Sequence, residues 1–389
     1  MLSSAHHSTA DRQQAKWSIL YTMTNLQLLH DTFGQSPWLD NLSRKMLDDG
    51  TIQQLINDGI RGLTSNPTIF EKALSGSAAY DADIAASGLS RDHVVDLYWQ
   101  LAVEDIQRTA DLLKPVYDSS AGSDGFVSIE VSPEIAENAD DTIAQARDLW
   151  RRVNRPNLMV KVPATEACLP AIRQLTADGL NVNITLIFGL ERYREVIDAF
   201  FSGLEARQEP VSGIHSVASF FVSRVDTEVD GRLEKLGPDQ VRQFAGKAGL
   251  AQARLAYQIF LETFADNNPR WASLKARGAN VQRPLWASTS TKNPAYDPLL
   301  YVKGLIAPHS VNTLPNATID TIEQTEHSVS ELGITPETID AAGQYLQQLE
   351  RACQIRMPEV ADLLEAQGIE KFHQSFASLL TALAAKIPA

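Results

Sequence analysis

"NLMVKVPATEACLPAIRQLTADGLNVNITLIF", residues 157–188, reads as a strand, a helix and a second strand. The runs 157–165 and 181–188 are short, apolar and rich in β-branched residues, as strands are. Between them "LPAIRQLTADG" carries a helical period and ends at Gly179, a residue suited to the position after a helix C-terminus. Two strands joined through one short helix lie parallel, and parallel strands are covered on both faces. Into the first of them the chain places a lysine, Lys161, flanked by Met159, Val160, Val162 and Pro163. A buried ammonium has to pair, lose its proton or carry chemistry.

The same alternation extends in both directions. Further strand-like runs lie at 36–42, 60–67, 125–131, 217–225, 281–289 and 310–315, with helical patterns between them. In "DTIAQARDLWRRV", for example, Ile143, Ala146, Leu149 and Trp150 share one face. Eight βα units predict an α/β fold of the closed (β/α)8 TIM-barrel kind; an open doubly wound sheet is the alternative. No GxGxxG follows the first strand and no GxxxxGK[ST] occurs, which speaks against the open sheet. Extra helices are expected after strand 2, around 68–120, and beyond strand 8, over 316–389. No linker or repeat divides the chain, so residues 23–389 read as one barrel domain. Residues 1–22 are polar at first and read as a disordered tail, with Met23 as the expected true start.

Composition narrows the function. The chain has 389 residues, 44% hydrophobic and 21% charged, with a net charge of −14. That balance, without a basic cluster, disfavours nucleic acid as a partner. No apolar run approaches the ~20 residues of a membrane span, and no signal-peptide core of ~7–15 residues is present. Cys168 and Cys353 fit neither a disulfide framework nor a metal spacing, and point to a reducing compartment, the cytoplasm. The histidines show no HxH or HxxxH spacing, so no metal site is expected.

In such a barrel the active site lies where strands end and βα loops begin. The polar residues there are Asp40, Thr64, Ser65, Asn66, Glu130, Lys161, Thr165, Asn183, Thr185, Ser219, Arg224, Ser288 and Lys292. Each has a plain reading beside a chemical one. Lys161 is either paired with a carboxylate or reaching for solvent, or else a desolvated nucleophilic amine that forms an iminium with a carbonyl. Glu130, one strand earlier, is either its salt-bridge partner or a general acid/base. Asp40 is a helix cap or Asx turn, or an acid/base; Asn66, before a proline, is a turn residue or a ligand. Asn183 and Thr185 share a strand face and either bond within the barrel or hold substrate and a water. Arg224 pairs with Asp226, Glu228 or Asp230 on the surface, or grips a phosphate with its forked donors. Lys292 is a second cation. Phe220 and Phe221 are core, unless one lines the site.

"GLTSNPTIF", "NLMVKVPAT", "GLNVNITLIF" and "VASFFVSRVD" together resemble transaldolase, in its longer bacterial group as "WASTSTKNPAY" and "VNTLP" suggest. The resemblance runs from about Asn25 to the C-terminus. It implies a cofactor-free class I aldolase barrel of the pentose phosphate pathway acting on sugar phosphates, as a monomer or homodimer. The implied reaction moves a dihydroxyacetone unit from sedoheptulose 7-phosphate to glyceraldehyde 3-phosphate, giving erythrose 4-phosphate and fructose 6-phosphate. It implies Lys161 as Schiff-base lysine, Asp40 as the acid/base at the cleaved bond, and Glu130 with Thr185 around a catalytic water. Asn66 and Asn183 would bind donor hydroxyls, Ser219 and Phe221 would line the site, and Arg224 with Lys292 would bind phosphate. Two departures stand out: Phe220 replaces a proline of the shorter enzymes, and Lys292 replaces an arginine. The rival readings are a class I aldolase of the fructose 6-phosphate or deoxyribose-phosphate type, which releases its donor, and a barrel that binds sugar phosphate without catalysis.

Overall fold

The computed structural model describes residues 23–326 and 328–387. The expectations for residues 1–22 lie outside the described residues. Eight strands form where the apolar runs stand: β1 (Gln35–Leu39), β2 (Gly62–Thr64), β3 (Val127–Glu130), β4 (Leu158–Pro163), β5 (Val182–Ile187), β6 (Ser216–Phe221), β7 (Gln282–Ala287) and β8 (Ser310–Leu314). All neighbours are parallel, and β1 pairs with β8 from Gln35↔Ser310 to Leu39↔Leu314. That last pairing closes the barrel and excludes the open sheet.

The strands stop earlier than the apolar runs that announce them. The run 60–67 yields a ladder only to Thr64, because Asn66 takes the cap position and Pro67 begins the helix Pro67–Ser75. A proline is tolerated at that first helical position, where its missing N–H has no partner to lose. The residues between ladder end and helix start are the ones held over the barrel mouth. Helix Leu169–Asp178 ends as read, with Gly179 at φ +90°. In helix Ala139–Val153 the buried face is Thr142, Ala146, Leu149 and Val153, while Ile143 and Trp150 pack at its margin.

Side chains alternate along each strand. Leu158, Val160 and Val162 of β4 face the helices and join the outer core. Met159, Lys161 and Pro163 alternate with them and face inward. The lower barrel is filled by apolar inward residues such as Trp38, Met159, Val217, Leu285 and Val311. Its floor is closed by Asp124, which accepts from Trp38 Nε1 at 3.1 Å, Arg61 Nε at 3.0 Å and the Arg283 guanidinium at 3.4 Å. The polar inward residues are thereby left at the upper, C-terminal end.

Gly62 is dictated by this filling. A Cβ there would lie 2.5 Å from Cε2 of the fully buried Trp38. Gly62→Ala is expected to destabilise the protein by roughly 1–3 kcal/mol through overpacking. Urea unfolding checks this; an unchanged midpoint would show that the indole can move aside.

The extra helices lie where expected, including Val94–Ser119 between β2 and β3, and Pro336–Cys353 and Met357–Lys386 after β8. The last crosses the barrel mouth. It packs on Pro67–Ser75, where Thr68 Oγ1 donates to Ser375 Oγ at 2.8 Å.

Candidate active site

At the mouth the strand ends enclose a cavity of about 150 Å³. Lys161, Thr185, Ser219 and Phe221 line its depth, and Asp40, Asn66, Arg224 and Lys292 line its upper walls. A wider groove of about 460 Å³ runs outside the barrel beside the start of the C-terminal helix, and none of the candidate residues lines it.

Strand register explains the grouping. Glu130, Lys161 and Asn183 are neighbours across β3, β4 and β5, and Thr185 lies level with Pro163, one step nearer the mouth. Lys161 Nζ stands 3.2 Å from Glu130 Oε2, with both side chains only 7% exposed. The pairing and the acid/base readings of Glu130 therefore meet in one contact. Burial holds the Glu130 carboxyl above the usual carboxylate range; Lys161 opposes the rise and Asp40 adds to it. A carboxylate raised in this way is a better acceptor for the lysine proton than an exposed one.

Thr185 Oγ1 is buried and has no hydrogen-bond partner among the described residues. A buried hydroxyl left so is costly unless a water or ligand group answers it. This oxygen belongs to a side chain that lines the cavity. Asn183 is different: it lies beneath the lining, its Nδ2 donating to Ser128 Oγ at 3.0 Å and its Oδ1 accepting from Ser219 Oγ at 2.7 Å. The within-barrel bond is therefore realised for Asn183, and it orients Ser219.

Directly after Thr185, β5 bulges. The register against β6 shifts between Ile184 and Ile187, and Leu186 has φ +63°. A non-glycine residue rarely adopts that region, and such bulges re-aim side chains at barrel rims.

On the opposite wall Asp40 Oδ1 accepts from Thr64 Oγ1 at 3.1 Å. The neighbouring helix Arg44–Asp48 is capped by Ser43, which leaves Asp40 for the cavity. The capping reading of Asn66 is realised: its Oδ1 accepts from Ile69 N–H at 3.0 Å, and the side chain also lines the cavity.

Arg224 does not form the surface pairs weighed for it. Asp226 is taken by Gly249 N–H and Tyr301, Glu228 by Arg232, and Asp230 by Gly246 N–H and Tyr296. The guanidinium lies 5.1 Å over the Phe221 ring instead. Burial pushes its pKa down, against the pull of Glu130 and Asp40. Lys292 donates to Ser290 Oγ at 2.7 Å. Its ammonium is also pushed down, by burial first and then by Arg224, Lys371 and Lys72.

Among the other polar strand-end residues, Thr64 and Ser288 line the cavity. Ser65 bonds to the Ser128 carbonyl and Thr165 to the Ala136 carbonyl, both within the scaffold. Phe220, the substituted proline position, faces outward and packs edge-on against Tyr193 and Trp286, away from the cavity. Sequence reasoning missed Phe372, a lining residue from the C-terminal helix. The one signal was Gly368, a glycine inside a long helix, which marks a close approach. Among the described residues no group of three His, Cys, Asp or Glu side chains could hold a metal ion, and no helix is long and apolar enough to cross a membrane.

The sequence pattern of the family "Transaldolase/Fructose-6-phosphate aldolase" matches residues 37–383. A transaldolase of Mycolicibacterium smegmatis is 47% identical over 366 residues, covering 92% of this chain and 96% of that protein. One of Mycobacterium tuberculosis is 48% identical over 351 residues, covering 89% and 93%. One of Thermobifida fusca is 46% identical over 375 residues, covering 94% and 98%.

Proposed function

The chain belongs to the transaldolase/fructose-6-phosphate aldolase family, and from that premise we propose a transaldolase that works through an iminium on Lys161. It moves a dihydroxyacetone unit from sedoheptulose 7-phosphate to glyceraldehyde 3-phosphate. The observation that carries this reading is the buried Lys161–Glu130 pair at the base of the cavity, beside the unanswered hydroxyl of Thr185.

Glu130 takes a proton from the Lys161 ammonium, and the freed amine attacks the ketose carbonyl. The carbinolamine loses its hydroxyl as water, protonated from Glu130 through a water that Thr185 helps to hold. Asp40 then removes the proton of the hydroxyl next to the scissile carbon–carbon bond. The bond breaks, its electron pair moves into the iminium, and the aldose leaves. The resulting enamine attacks the incoming aldehyde, Asp40 returns the proton to the new alkoxide, and hydrolysis of the iminium frees Lys161. Arg224 and Lys292 hold the phosphate, Arg224 through its fork and Lys292 as a point charge. Asn66 and Ser219 bind hydroxyls of the donor. Asn183 contributes by fixing Ser219.

The test is to supply fructose 6-phosphate with erythrose 4-phosphate and follow both carbon halves. Sedoheptulose 7-phosphate should form in step with glyceraldehyde 3-phosphate, with no free dihydroxyacetone. Release of free dihydroxyacetone at the same rate would instead favour a donor-releasing aldolase.

Thr185→Val separates catalysis from stability. The hydroxyl it removes has no protein partner, so stability should hold or rise by up to about 1 kcal/mol. If the hydroxyl holds the catalytic water, kcat should fall about 10²-fold. Steady-state kinetics beside a urea melt reads both; full activity in the variant would remove Thr185 from the mechanism.

A further inference from the structure

The cavity is completed by an element that no strand-end argument reaches. Phe372 of the C-terminal helix lines it together with Arg224 and Lys292. Gly368, one turn earlier, shares that face. A Cβ on Gly368 would lie 2.9 Å from Leu186 Cδ2 and 3.6 Å from a guanidinium nitrogen of Arg224. The helix backbone thus rests on the β5 bulge and beside the arginine. Lys371 sits between Gly368 and Phe372 in sequence, is exposed, and makes no ion pair among the described residues. Its positive charge is felt at Lys292, as are those of Arg224 and Lys72.

That convergence needs a reason. The chain carries −14, yet Arg224 and Lys292 both line the cavity, and Lys371, beside Phe372, and Lys72, on the helix that Asn66 caps, add their positive charge at Lys292. The carboxylates that pull on Arg224 and Lys292, Asp40 with Glu130 on the first and Asp40 on the second, stand where the bond-breaking chemistry needs them. Like charges held together without a neutralising partner raise the energy of the empty site, and a dianion entering among them removes that cost. With the ketose carbonyl at Lys161 in the depth of the cavity, the far end of the sugar falls at this rim.

We propose that the C-terminal helix is part of the substrate site, with Lys371 joining Arg224 and Lys292 in holding the terminal phosphate and Gly368 seating the helix close enough for it to do so. The proposal rests on the transaldolase reading above. Lys371 contacts only the phosphate, so it sets the preference for phosphorylated sugars and leaves the chemistry at Lys161 untouched.

The experiment compares Lys371→Gln, Lys371→Arg and Gly368→Ala with the parent enzyme, using fructose 6-phosphate and unphosphorylated fructose as donors. Lys371→Gln should raise KM for fructose 6-phosphate about 10-fold. Its kcat should stay within about 2-fold, and kcat/KM for fructose should not change. The arginine variant should recover most of the loss. Gly368→Ala should reproduce the loss of phosphate preference with Lys371 still present. An unchanged ratio between the two donors in Lys371→Gln would overturn the proposal, and so would an equal loss on both, which marks a purely structural helix. Borohydride trapping on the parent enzyme separates the two levels. No adduct on Lys161 means the underlying reading has failed; an adduct together with an unchanged donor ratio means that only this inference has.

Discussion

Lys161→Ala is expected to lower kcat by at least about 10⁴-fold while the protein still folds. Among the described residues no other amine is placed at the base of the cavity to replace it: Arg224 is a guanidinium and Lys292 stands at the rim beside Ser290. Folding survives because of where Glu130 stands. Cutting a buried ion pair normally costs about 3–5 kcal/mol, since it strands a charge. Here burial already holds the Glu130 carboxyl above its ordinary range, and the Lys161 ammonium is the main pull against that rise. Without the lysine the carboxyl takes up a proton and becomes neutral. The sign follows from linkage. A carboxyl whose folded-state pKa lies above its unfolded one contributes stability below the unfolded pKa and loses it as pH rises through the folded pKa. The variant should therefore melt closer to the parent at pH 4 than at pH 8. Lys161→Met, which keeps the volume, should show the same loss of turnover. Measurable transfer by either variant would mean that the reactive amine lies elsewhere.

Glu130→Gln is the second large effect, an expected loss of about 10²–10⁴ in kcat, the usual range for removing a general acid/base. The amide can still accept a hydrogen bond from Lys161, so positioning is largely retained and proton transfer is lost. The pH profile gives the sharper reading. The carboxyl must be ionised to receive the lysine proton, so kcat/KM should fall as pH drops through its pKa. Burial raises that pKa, so the acid limb should lie above the ordinary glutamate range of about 4.3. In Glu130→Gln that limb should vanish. A limb that persists in the variant would belong to another group.

Much of the architecture was legible because each strand writes its own signal. β-branched runs at short spacing, separated by helical periods, gave eight strands and their order. The rule that strand ends carry the site gathered Asp40, Glu130, Lys161, Thr185 and Ser219 at the mouth, and two-residue alternation put Asn183 and Thr185 on one face. What could not be read was of three kinds. Strand ends were overestimated, since an apolar run such as 60–67 continues through the residues that cap the next helix. The β5 bulge had no glycine to announce it; Leu186 adopts φ +63° because the surrounding register imposes it. Contacts between distant elements left no local mark at all. The bond from Asn183 to Ser128 places that asparagine beneath the lining, and neither residue type nor spacing distinguishes this from a side chain open to substrate. Phe372 belongs to the mouth only because a helix nearly two hundred residues downstream of β5 crosses it.

The surface pairs weighed for Arg224 failed for a related reason. Asp226, Glu228 and Asp230 follow it closely in sequence, but all three carboxylates are occupied within the helix Ser223–Leu236 and its neighbours. Arg224, at the second position of that helix, points back over Phe221. A helix start just beyond a barrel strand aims its first residues at the mouth, which is how an arginine near three acids comes to line the cavity.

The most direct test of the account is chemical capture of the intermediate. The protein is incubated with fructose 6-phosphate, reduced with borohydride, digested and mapped by mass spectrometry. The expected result is a dihydroxyacetone-derived mass on Lys161 alone, absent from Lys161→Ala. A folded, sugar-binding protein that yields no adduct, or yields one on a different lysine, would contradict the iminium at Lys161 and the mechanism built on it.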